Sequence, residues 1–88
     1  MDNKKLKKMT ELLNNKLKKL DSAPSNNSTL RRHPSELAEF RNVLEITSKT
    51  IPGQKIYFEN MIEKAGFSTF YLSDALDVIT HVLEIIEK

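Results

Sequence analysis

Every valine, isoleucine, phenylalanine and tyrosine of this 88-residue chain lies after residue 33. The first 33 residues have only Leu, Met and Ala as apolar side chains, enough for an amphipathic helix but too little for a separate core. Charge divides at the same place. Residues 1–33 hold nine Lys/Arg against three Asp/Glu, a balance of +6, while residues 34–88 hold five against nine, a balance of −4. The chain therefore reads as a basic helical arm (residues 1–20), a flexible linker (21–33) and an acidic helical domain (34–88).

Within the arm, Leu6, Met9, Leu13, Leu17 and Leu20 recur at spacings of 3, 4, 4 and 3, which places them on one helical face. Leu12 is expected to widen that face. Leu, Lys and Met favour the helix, whereas Asn14 and Asn15 weaken its middle. An isolated helix of this length is marginal in water, so it is expected to fray unless it docks. Residues 21–33 are dominated by Ser, Asn, Pro and Asp, which compete with regular structure. Their only apolar members, Ala23 and Leu30, are too few to offset the entropy of ordering.

The acidic segment predicts three helices. The first begins at Pro34 or Ser35, with Leu37, Phe40, Val43, Leu44 and Ile46 as its buried face and Glu36 and Glu39 near its positive end. Ile51, Pro52 and Gly53 make a turn. The second helix runs from about residue 54 to 65, with Phe58, Met61, Ile62 and Ala65 on one face and Gly66 as a left-handed terminator. Residues 54–58 are also the one candidate for a short strand. The third starts after a cap at Ser68 or Thr69 and ends near Glu87. It carries two apolar stripes side by side: Leu72, Leu76, Ile79, Leu83 and Ile86, then Tyr71, Ala75, Val78, Val82 and Ile85. So wide a face suits either a central core helix or one that packs at home on one stripe and meets a second molecule with the other. The fold class expected is all-α: a small three-helix unit containing a helix-turn-helix-like hairpin, preceded by the amphipathic arm and linker.

A domain confined to residues 34–88 would bury roughly 60% of its unfolded surface and be marginally stable. The chain has no cysteine, which removes disulfides and thiolate metal sites and fits a cytoplasmic location. Self-association, as a homodimer, is the staple that remains. In the apolar half no stretch free of Asp, Glu, Lys and Arg exceeds residues 65–73. That is far short of the roughly 20 apolar residues a membrane span needs, so a membrane role is not expected.

Catalysis has little to draw on. Gly53 and Gly66 are the only glycines, so there is no phosphate-cradling loop. Asp77 and His81 stand four residues apart, but a metal site needs further ligands and His33 is the only other histidine. The chain is therefore expected not to be an enzyme and to need no cofactor or metal.

Two functions compete. In the first, the protein is a small regulatory or inhibitory protein that binds another protein through surplus apolar surface on the C-terminal helix. Phe67, Phe70, Tyr71, Val78 and Val82 are the candidate contacts. In the second, it is a helix-turn-helix-like DNA-binding regulator whose Lys4, Lys5, Lys7, Lys8, Arg31 and Arg32 neutralise phosphates. The exposed early positions of its recognition helix (Thr69, Phe70, Ser73, Asp74 and Asp77) lack the Lys, Arg, Asn and Gln that read bases, which favours the first.

Overall fold

A computed structural model describes residues 3–21 and 28–87. The described chain is all-helical: α1 (Asn3–Asp21), α2 (Pro34–Thr50), α3 (Lys55–Lys64) and α4 (Leu72–Ile86), with 3-10 turns at Leu30–Arg32 and Pro52–Gln54. Residues 54–58, the strand candidate, are helical from Lys55 onward. The one extended pairing is an isolated antiparallel bridge between Thr29 and Tyr71.

The basic arm is a full member of the fold. Leu6, Leu13 and Leu17 are buried in the same cluster as Phe40, Val43, Leu44, Phe58, Leu72, Ile79 and Val82, with Met9 and Leu20 packed at its margin. Burial contributes about 1.5–3 kcal/mol for each such leucine. That outweighs the weak middle at Asn14 and Asn15 and gives the helix the docking surface it lacks alone. Thr10, not Leu12, completes the buried face; Leu12 is 53% exposed. At 3.6 residues per turn Leu12 points about 200° away from Thr10. The Thr10 hydroxyl donates to the Leu6 carbonyl at 2.7 Å, which satisfies it inside the core.

Helix α1 runs antiparallel to both α4 and α2. Lys7 near the start of α1 pairs with Glu87 at the end of α4 (3.4 Å), and Lys16 near the end of α1 pairs with Glu39 early in α2 (2.8 Å). Both pairs join the basic arm to the acidic helices. α1 packs mainly on α4 and α2, and α3 mainly on α2.

Part of the linker is ordered by tertiary contacts that composition does not reveal. The Leu30 N–H donates to the Phe70 carbonyl (3.0 Å), and the Leu72 N–H donates to the Ser28 carbonyl (2.9 Å). Leu30 is fully buried. Residues 28–33 are thereby tied to the start of α4; residues 22–27 of the predicted linker lie outside the described residues.

The same pairing fixes where α4 begins. Ser68 and Thr69 do not cap it. The helix starts at Leu72, whose N–H is already taken by Ser28, and the Asp74 carboxylate accepts the Tyr71 N–H at 3.0 Å. Nor does Gly66 take the left-handed backbone expected of it. Space is the constraint there. An added Cβ would lie 2.7 Å from an Arg41 guanidinium nitrogen, and the Arg41 Nε donates to the Ile62 carbonyl at 3.3 Å.

The buried face of α4 straddles its two stripes. Leu72, Ala75, Val78, Ile79, Val82 and Ile86 are buried, while Leu76, Leu83 and Ile85 are partly covered. Packing on both α1 and α2 uses most of the width that looked surplus.

A candidate partner-binding groove between α3 and α4

Consecutive helices α3 and α4 do not form a close-packed hairpin. They touch at one end, where the His81 ring lies against Tyr57 (centroids 5.4 Å) and Phe58 (6.1 Å), and His81 Nε2 donates to Gln54 Oε1 at 2.7 Å. They are joined at the other end by residues 65–71. Between these ends is a groove of about 450 Å³, lined by Met61, Lys64, Phe67, Thr69, Phe70, Asp74, Asp77 and Val78.

Its apolar lining has two depths. Phe70 (7% exposed) and Val78 (5% exposed) are core residues whose remaining surface faces the groove. Phe70 is held by the Phe40 ring at 5.6 Å and by its backbone carbonyl, which accepts the Leu30 N–H. Phe67 stands half exposed in the connecting segment. The charged lining consists of Asp74, Asp77 and Lys64. Asp74 is turned back to the Tyr71 N–H, and Asp77 is exposed.

Of the five predicted protein-contact residues, Phe67, Phe70 and Val78 therefore meet in one groove. Val82 is fully buried and has no surface to offer, because it sits in the core-facing arc of α4. Tyr71 is 38% exposed but is not part of the groove lining. Met61, Lys64, Thr69, Asp74 and Asp77 are lining residues that the stripe pattern did not select. The sequence groups Thr69, Asp74 and Asp77 with Phe70 only as exposed positions of the helix-turn-helix-like reading.

The six predicted phosphate contacts are not brought together. Lys4, Lys5, Lys7 and Lys8 lie at the start of α1, beside the end of α4. Arg31 and Arg32 follow Leu30, which pairs with the chain at the start of α4. The length of α4, about 22 Å at 1.5 Å per residue, separates the two groups. Lys7 is engaged by Glu87; Lys4, Lys5, Lys8, Arg31 and Arg32 are exposed.

A smaller cavity of about 160 Å³ lies between α1 and α2, lined by Met9, Leu12, Leu13, Lys16, Glu39, Asn42 and Val43. Its two charges neutralise each other: the Lys16 ammonium is held above its ordinary pKa by its hydrogen bond to Glu39. Among the described residues no group of three His, Asp or Glu side chains is placed to hold a metal, and His81 turns to Gln54. No helix of the described chain is long and apolar enough to cross a membrane. No protein-family model, curated protein or solved structure matches the chain.

Proposed function

We propose that the protein is a non-enzymatic regulatory or inhibitory protein that works by binding another protein, with the α3–α4 groove as its contact surface. One observation carries this reading: an open groove whose floor, Phe70 and Val78, is anchored in the core and whose wall, Phe67, is half exposed. A rigid apolar floor with an aromatic wall and a polar rim is the arrangement in which a partner's anchor side chain gains most from desolvation. The test is a two-dimensional NMR titration of the full chain with a mixed set of small aromatic and aliphatic fragments. Shifts should concentrate at Met61, Phe67, Phe70 and Val78. Shifts concentrated instead around Leu12 and Asn42, or spread evenly over the surface, would refute the assignment.

A second reading draws on α1, whose outward face exposes Lys4, Lys8 and Lys18 with no aromatic residue among them. In it the docked arm grips nucleic-acid phosphates without reading sequence. Binding of a short DNA duplex that weakens steeply with salt and is lost on replacing these lysines with glutamine supports it. Absence of binding even at low salt rules it out.

A further inference from the structure

Building on the groove assignment above, we infer that the occupant is a protein segment presenting one large apolar side chain flanked by lysine or arginine. The apolar half of this requirement follows from the lining. Half-exposed Phe67 and partly exposed Met61 supply the accessible apolar surface above the nearly buried Phe70 and Val78, and a volume of about 450 Å³ has room for a large side chain and its immediate neighbours. An occupant without such a side chain would leave that surface wet.

The basic half follows from charge. The groove carries Asp74 and Asp77 against Lys64 alone. Helix α4 has neither Lys nor Arg along its length, and Glu84 continues the acidic side of its exposed surface beyond Thr80. An acidic or phosphorylated segment would meet a cation only at Lys64, on the α3 side, and like charge along the whole α4 side. A segment with a cation beside its anchor would place that cation on the rim, where complementary charges raise the association rate and fix the register. The two carboxylates are unequal in this. Asp74 already accepts the Tyr71 N–H and faces the positive end of α4, so part of its charge is answered within the fold. Asp77 is exposed and one turn further along, and it is the carboxylate left for the partner.

The inference is tested by selecting peptides from a random display library on the full chain. The enriched peptides are then titrated against the wild-type, Phe67→Glu, Asp77→Asn and Asp77→Lys chains. Both positions are exposed, so circular dichroism should show an unchanged fold in all four. The expected result is enrichment of Leu, Met, Phe or Trp with Lys or Arg within one helical turn. Binding should be lost in Phe67→Glu, weaken severalfold in Asp77→Asn and weaken at least about tenfold in Asp77→Lys. Peptides that depend on Phe67 but carry no such cation, or that bind Asp77→Lys as well as wild type, overturn the basic-partner inference and leave the groove assignment intact. Peptides indifferent to Phe67→Glu, or no enrichment at all, overturn the groove itself as a protein-binding surface. Light scattering that finds a dimer dissociated by Phe67→Glu assigns the groove to a second copy and likewise overturns the inference.

Discussion

His81 and Gln54 are 27 residues apart in the chain, yet His81 Nε2 lies 2.7 Å from Gln54 Oε1. This bond, with the Tyr57 and Phe58 rings against the imidazole, joins the start of α3 to α4. It sets the far end of the groove. Replacing His81 with Ala removes the hydrogen bond and both ring contacts, and should cost about 1–2 kcal/mol in urea unfolding. It should also broaden the NMR signals of Met61 and Val78 by loosening the groove. A variant as stable as wild type, with sharp signals there, would show that α3 is held without this link.

Tyr57 gives a pH-dependent signature of the same end. Burial first, and then the Asp77 carboxylate, hold its phenol above the ordinary 10.0. The fold therefore favours the neutral phenol. The associated stability is fully present below about pH 10 and is lost as pH rises through the raised folded-state value. A tyrosinate absorbance titration should show a late component that disappears in Tyr57→Phe. In Asp77→Asn it should move down but stay above the ordinary value, because burial remains. No movement in Asp77→Asn would show that the Asp77 carboxylate does not act on the Tyr57 phenol.

The arm should behave as core on one face and as surface on the other. Leu13→Ala leaves a cavity inside the shared cluster and should cost about 2–4 kcal/mol. Leu12→Ala, one position away on the exposed side, should stay within about 0.5 kcal/mol of wild type. Equal effects in urea denaturation would contradict the docked orientation of α1.

Asn14 is a flaw in that docking. Its Oδ1 is buried and has no hydrogen-bond partner among the described residues. Asn14→Ala removes the unsatisfied acceptor and improves helix propensity, and should stabilise the protein by about 1 kcal/mol, raising Tm. A fall in Tm would mean that the side chain's packing outweighs its unmet polarity.

Gly66 and Arg41 should be coupled. In Gly66→Ala the new methyl displaces the Arg41 guanidinium and strains its bond to the Ile62 carbonyl. Because the obstacle is the mobile end of a long side chain, the cost should be modest, about 1 kcal/mol. In an Arg41→Ala background the same substitution should cost close to nothing. Equal costs in the two backgrounds would place the need for glycine in the backbone instead.

Much of the secondary structure was legible in residue spacing, because the helical period is a local property. Pro34 marks the start of α2, Pro52 and Gly53 mark the break before α3, and Phe40, Val43, Leu44 and Phe58 occupy the buried faces their spacing assigns. What spacing could not reveal was which residues of a wide face stay exposed. Phe70, Val78 and Val82 looked available for contact because their cover comes from elsewhere in the chain. Leu30 looked like part of a flexible linker because the backbone groups that hold its neighbourhood belong to Phe70 and Leu72, forty residues on.

Residue spacing and composition already specify an all-helical chain with its charge and its branched and aromatic residues divided at residue 33. These follow from the period and chemistry of neighbouring residues. The packing of the basic arm into the acidic half is a product of the tertiary structure, since burying three leucines depends on a surface that distant helices must build first. So is the groove between α3 and α4. The gap is bounded by the contact between His81 and Gln54 at one end and by the pairing of residues 28–30 with 70–72 at the other. Neither has a local signal.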